Sequence, residues 1–200
     1  MKVLRRSATR RSDSGFTLLE TVVSVGVISI VMTATAAFLV ASGKVARRQQ
    51  GTQVSARIAA DAISQSRSVK GSALITGRDR ISSETQWASA GPSVAAYLAD
   101  SVVAWDPAAG AGAGASAALP TVARTVTVDG LAYYQSWYVG QCWLPSTGST
   151  CGTTKGVGDV SMNRVIVAVT WTDNECGGTC SYVTSTLVSA EPSEPVFNLN

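Results

Sequence analysis

Ser14-Gly15-Phe16-Thr17-Leu18-Leu19-Glu20 opens a long apolar run. From Phe16 to Ala41 the one charged side chain is Glu20, and the preceding arm carries Lys2, Arg5, Arg6, Arg10 and Arg11 against Asp13. A helix crossing a bilayer needs about 20 apolar residues, so Phe16 to Ala41 is long enough to span. A carboxylate inside such a span costs about 2.5–3.5 kcal/mol at mid-membrane on insertion scales, which makes Glu20 a functional residue by default. The basic arm holds the N-terminus in the cytoplasm. Lys44, Arg47 and Arg48 follow the span and blunt that bias, but the longer C-terminal part is expected outside. A secretory signal has a shorter apolar region, about 7–15 residues, followed by a small-residue cleavage site. Here Ala34-Thr35-Ala36-Ala37 lies within the run and Phe38-Leu39-Val40 continues it, so the helix is expected to be retained.

Gly15, Phe16 and then Glu20, with Thr17-Leu18-Leu19 between them and a basic leader before, resemble the signature of type IV prepilins and pseudopilins. The resemblance covers about residues 10–45. It implies cleavage between Gly15 and Phe16 by a prepilin peptidase on the cytoplasmic side, and methylation of the new N-terminus at Phe16. It also implies that Glu20 pairs with the terminal amine of a neighbouring subunit during filament assembly. The implied partners are other pilin subunits, the prepilin peptidase and an assembly platform in the cytoplasmic membrane.

Elementary electrostatics agrees with this. Cleavage would create a cation at Phe16, and Glu20 lies one helical turn along on the same face. A carboxylate in the first turn also faces the positive end of the helix dipole. In lipid neither charge is tolerable alone. A neighbour's amine and the molecule's own amine both remain candidate partners for Glu20.

The formal charge of +3 is concentrated in residues 1–15, and the remainder is close to neutral. The basic balance therefore gives no reason to expect a nucleic-acid partner. The chain has no histidine, which removes the usual general base and the commonest neutral metal ligand. No paired-acid or nucleophile motif replaces it. The expectation is a protein that is not an enzyme and holds no cofactor or metal.

The leader is placed at 1–15, a membrane or filament-core helix at 16–43 and an amphipathic half-helix at 44–70. The helix is expected to end near Ser68. Val54, Ile58 and Ala62 recur every four residues beside Ala59 and Ile63, while Arg57, Asp61 and Gln65 lie off that stripe. Gly26, Gly43 and Gly51 weaken the helix by about 1 kcal/mol each. Residues 71–120 read as a connecting region, with a short helix over Ser93–Val103 and a flexible Ala/Gly loop from Pro107 to Pro120.

From 121 to 190 the period changes to two. Val122, Val126 and Val128 precede Asp129-Gly130, a hairpin signal. Leu131, Tyr133, Trp137 and Val139 line a second strand, and Val165, Val167, Val169 and Trp171 a third. Asn174 and Gly177-Gly178 mark a turn before a fourth strand from Tyr182 to Ser189. The expected fold is α+β: a long N-terminal helix whose amphipathic half packs on a small antiparallel four-stranded sheet. Residues 191–200 read as a loose tail.

Cys142, Cys151, Cys176 and Cys180 all lie in the part placed outside the membrane, where an even count suggests disulfides. Cys142–Cys151 and Cys176–Cys180 are the favoured pairs, each closing a short loop at a turn. The spacings lack the two-residue gaps of zinc knuckles. Asp173-Asn174-Glu175 has turn chemistry but not calcium-loop spacing. Trp105, Tyr134, Tyr138 and Trp143 read as packing aromatics, with a ligand-binding aromatic surface as the alternative. Gly156-Val157-Gly158 is too short for a phosphate loop.

Together these readings point to a type IV pilin-like subunit, a minor pilin or pseudopilin. It would be a single-pass cytoplasmic-membrane protein with its C-terminal domain extracytoplasmic, moving to a cell-surface filament on assembly. The Val-Thr-Trp-Thr-Asp strand and the Ser/Thr-rich last strand resemble minor pilins of the pilus-modification kind over about 163–189. The alternative is a membrane-anchored extracytoplasmic binding module that does not polymerise.

Overall fold

A computed structural model describes residues 17–148 and 150–190. The leader, Gly15, Phe16 and the 191–200 tail lie outside the described residues. A single helix, α1, runs Leu18–Arg67, ending one residue short of the expected boundary. The chain divides into two compact units at Arg47/Arg48.

In the first unit the helix buries nothing, and its apolar side chains are open along the whole length. In the second unit the rest of α1 carries the stripe read from the sequence. Ile58, Ala59 and Ala62 are buried, and Val54 and Ile63 pack beside them. They meet one face of an antiparallel sheet. Its strands are β1 (Val102–Val103), β2 (Arg124–Val128), β3 (Leu131–Leu144), β4 (Val160–Asp173) and β5 (Gly178–Ser189). The spatial order is β1-β3-β4-β5, and β2 pairs with the far end of the same edge of β3.

Five strands therefore replace the four expected. The fifth is β1, at the end of the stretch assigned to a short helix: α3 stops at Leu98 (Pro92–Leu98), and Val102–Val103 pairs with Gln141 and Gly140 instead. Two β-branched residues that fit a pleated edge have no helical stripe to extend.

The face toward α1 is built from Tyr133, Trp137 and Val139 on β3 and Val165, Val167, Val169 and Trp171 on β4. Gln135 lies among them and donates to the Ile58 carbonyl at 3.2 Å, so its amide is not left unpaired against the helix. Trp171 lies over Gly51, where a Cβ would stand 3.0 Å from its indole nitrogen. The other face is also covered. Val94, Leu98, Tyr138, Ile166 and Ala168 form a second cluster, joined by Trp87 and Val183. The helices responsible are α3 and α2 (Arg80–Ala88). Burial on both faces explains the unbroken run Val165-Ile166-Val167-Ala168-Val169, since a strand buried on both sides loses its alternation.

The β2–β3 hairpin turns at Asp129-Gly130, with φ of 50° and 78° and Val128 opposite Leu131. A two-residue turn with both φ positive matches the twist of the flanking strands.

The Ala/Gly stretch 107–120 is not the structureless loop expected. It holds a 3-10 turn, Ala113–Ser116, and ends on Leu119, which is 1 % exposed. What ties it down is Arg78-Asp79. The buried Arg78 guanidinium donates to the Leu119 carbonyl and to Gln86 Oε1, the latter at 2.7 Å. Asp79 caps α2 by accepting from Ser82 N at 3.0 Å, and its other oxygen accepts from Gly114 N at 2.9 Å. A low-complexity segment with few apolar groups is thus held by hydrogen bonds to its backbone.

Candidate functional site

The candidate site is the start of α1. Thr17 precedes the first helical residue, and its Oγ1 accepts from Glu20 N at 3.3 Å. Thr17-Leu18-Leu19-Glu20 has the Thr-x-x-Glu form of a capping box, in which the hydroxyl satisfies one of the orphan amides of a helix start. The cap fixes Glu20 in the first turn, at the positive end of the helix dipole. Gly15 and Phe16, the expected cleavage pair, lie outside the described residues.

Downstream of Glu20 the helix is apolar and exposed: Leu18 is 82 % accessible, Ile30 72 % and Phe38 69 %. One stretch of α1 has a mean hydropathy of 2.2 with none of it buried. The helix fits a single-pass membrane anchor by length and composition. Its hydroxyls are accommodated within the helix. Ser24, Ser29, Thr33 and Thr35 donate to carbonyls four residues back, and Thr21 to Leu18 O, at 2.7–2.8 Å. Each polar side chain thereby finds a partner without water. Glu20 is the one side chain of this segment that carries a charge.

The four cysteines form two disulfides. Cys142–Cys151 has Cα atoms 5.5 Å apart, and both residues are buried. It holds the end of β3 to the following loop beside the Trp143–Gly152 bridge. Cys176–Cys180, with Cα atoms 5.3 Å apart, closes the β4–β5 hairpin across Gly177 and Gly178.

The remaining candidates are dispersed. Tyr138 is packed in the second cluster, Trp105 lies under the Arg80 guanidinium at 5.1 Å, and Tyr134 is exposed on β3. Asn174–Cys176 is a 3-10 turn within the β4–β5 hairpin. Gly156 closes a local turn by donating to Asp159 at 2.7 Å. Among the described residues no group of three or more His, Cys, Asp or Glu side chains is placed to hold a metal. A cleft of about 610 Å³ lies between β1 and the connecting region, lined by Ile75, Val102, Trp105 and Pro107. Glu84 on its rim is engaged by Arg80 at 2.7 Å.

The sequence reading missed the Arg78-Asp79 pair. Amide donation from Ser82, then the Ser82 hydroxyl and Gly114 N, hold the Asp79 carboxyl down at about 2. Amides of Gly77 and Ala108 lower Asp106 in the same way. Burial draws Arg78 down to about 10, so it stays cationic at neutral pH. This cluster is tied to the chain's own backbone and to Gln86, with Arg78 Nε buried and unpartnered among the described residues, and it organises the fold. Its visible signal was Asp79 placed to cap a Ser-Ser-Glu helix start.

Residues 10–36 match the family model described as the prokaryotic N-terminal methylation motif, which is the type IV prepilin and pseudopilin signature. No curated protein and no solved structure matches the chain.

Proposed function

We propose that this chain, which carries the N-terminal signature of type IV prepilins, is a minor pilin or pseudopilin whose work is assembly rather than catalysis. In this reading a prepilin peptidase cuts between Gly15 and Phe16 and methylates Phe16. The apolar part of α1 stores the subunit in the cytoplasmic membrane, and the subunit then enters a filament with other pilins. The observation that carries the reading is the coincidence of the motif with a single acid, Glu20, in the first turn of α1, whose stretch up to Ala41 is otherwise uncharged, apolar and exposed. The new amine at Phe16 of a neighbour would neutralise that acid. Two disulfides in the β domain suit an oxidising compartment outside the membrane.

The test is the N-terminus of the protein recovered from its native membrane, together with Glu20→Ala. The expected result is a chain starting at Phe16 with one added methyl group. Glu20→Ala is expected to leave the membrane level intact and deplete the sheared-filament fraction. A chain still starting at Met1, with Glu20→Ala behaving as wild type, would replace this reading with a membrane-anchored binding module.

A further inference from the structure

The two edges of the sheet are treated differently. One is blunted, since β1 has two residues and β2 five, the latter opened by Arg124. Short strands and charges are how proteins discourage unwanted pairing. The other edge is β5, twelve residues long, uncharged and free of proline, with the sequence Gly-Thr-Cys-Ser-Tyr-Val-Thr-Ser-Thr-Leu-Val-Ser. It pairs only with β4 among the described strands.

The direction of its free groups can be assigned. Ala190 donates backward to Ser161, on the β4 side, at 3.0 Å. Even-numbered residues of β5 therefore face β4, and odd-numbered ones face out. Tyr97 agrees, because its hydroxyl reaches the Val183 carbonyl from outside at 3.4 Å. The amides of Ser181, Val183, Ser185 and Leu187 thus lie along an edge that no described strand covers.

The Ser185–Leu187 part of that edge is the floor of a groove of about 600 Å³. Arg67, at the end of α1, forms one wall, and Tyr97 and Asp100, on and after α3, form the other. The groove is cationic. Both Nε and Nη2 of Arg67 converge on one neutral acceptor, Thr186 Oγ1, at 3.0 and 2.8 Å. Arg164 Nη1 donates to the Tyr97 carbonyl at 3.3 Å and approaches Asp100 only at 3.9 Å, and Asp100 is largely open to water. Among the described residues, two guanidiniums therefore face one distant carboxylate.

We infer that the β5 edge receives an extended segment of a partner polypeptide as a sixth strand, with an acidic side chain of that segment meeting Arg67 and Arg164. Main-chain bonds to Ser185 and Leu187 give the affinity, and the arginine pair sets the register. The inference does not depend on whether the chain enters a filament.

The experiment places a photoreactive phenylalanine analogue at Leu187 of the full chain in its native membrane, with the same label at exposed Lys155 as control. The adduct is mapped to the residue by mass spectrometry. The expected adduct joins Leu187 to another polypeptide, within two or three residues of an Asp or Glu. Ser185→Pro removes an outward amide but no bond to β4, so the fold survives while the adduct falls about tenfold. Arg67→Glu, which leaves the backbone untouched, is expected to lower the yield several-fold, most strongly at low salt. The inference is overturned if Leu187 labels no better than Lys155, or if the adduct maps to β5 of a second copy. It is also overturned if both variants label like the parent.

Discussion

Gly71→Ala tests the packing of the connecting region on the sheet at one atom. Gly71 is buried at the start of a 3-10 turn, Gly71–Leu74, and Leu74 is fully buried behind it. A Cβ built on Gly71 falls 1.7 Å from the Ser189 carbonyl oxygen and 2.9 Å from its carbon. Both are backbone atoms of β5, so no rotamer change relieves the clash. Ser189 is held in register opposite Met162, and the Gly71 carbonyl accepts from Asn163 Nδ2 at 2.8 Å. Relief means moving the turn away and losing that bond, worth about 1 kcal/mol, on top of about 1–3 kcal/mol for overpacking. Opposing this, alanine restricts the unfolded chain and contributes about 0.4–1 kcal/mol of stability. The clash wins, with a net loss of about 1–3.6 kcal/mol. Gly110→Ala is the matched control: Gly110 is exposed, has open space around its Cβ position and lacks a positive φ. There only the unfolded-state gain remains, about 0.4–1 kcal/mol. Thermal unfolding of the full chain in detergent, followed by fluorescence of buried Trp137 and Trp171, reads both. At about 2–4 °C per kcal/mol, Gly71→Ala should melt several degrees low and Gly110→Ala slightly high. If Gly71→Ala melts with or above the parent while Gly110→Ala behaves as stated, the turn does not lie against β5 and the reasoning fails.

Two further outcomes are expected. Asp79 has its carboxyl held near 2 by amide donors, below the ordinary 3.8, so its contribution is present above the unfolded value and is lost as pH falls from about 4 toward 2. Asp79→Asn should be less stable at pH 7 and show a shallower loss of stability across that acid window in urea titrations. An unchanged acid slope would remove Asp79 as the cause. Under mild thiol reductant, Cys176–Cys180 should open before Cys142–Cys151, because Cys176 is exposed whereas Cys142 and Cys151 are buried. Timed alkylation and peptide mapping give the order, and loss of the Cys142–Cys151 loop constraint should cost about 2–3 kcal/mol. Earlier labelling of Cys142 would contradict the burial.

The parts legible in the sequence are those where one physical pattern acts alone. The Val54–Ile63 stripe gave the buried face of α1 because helical period and burial coincide there. Asp129-Gly130 fixed a hairpin because its turn needs two positive φ values. The short loops around the cysteines limited their pairing. The hidden parts are those where structure comes from long-range polar contacts. Nothing periodic in 107–120 announces that Leu119 is buried or that Gly114 lies under Asp79 and Thr121. Coverage of both sheet faces has its sequence signal in Val165–Val169 and in Gly91-Pro92 opening α3, whereas the alternation of Tyr133 and Trp137 marks one face alone. At the candidate site the sequence was the fuller source, since Glu20 and its context are defined by a motif whose first half lies outside the described residues.

What the structure adds at that site is an argument by elimination. In lipid an apolar helix surface gains nothing by burying itself against another, because acyl chains are as apolar as leucine. The exposed Leu, Val and Ile side chains of α1 therefore suit the helix to a membrane without choosing a partner. Hydroxyls are the usual polar glue between membrane helices, yet Thr21, Ser24, Ser29, Thr33 and Thr35 are each turned back on their own carbonyls, and Thr17 is committed to the cap. Glu20 is left with acceptor capacity beyond anything the helix supplies. The capping box uses its position but not its charge. A neighbour's Phe16 amine, created by cleavage, would remove a penalty of at most about 2.5–3.5 kcal/mol, the mid-membrane value, a factor of up to roughly a hundred or more in an association constant. On the proposed reading, that is why processing precedes assembly: before the cut there is no amine to neutralise Glu20, and the rest of the helix has no preference of its own.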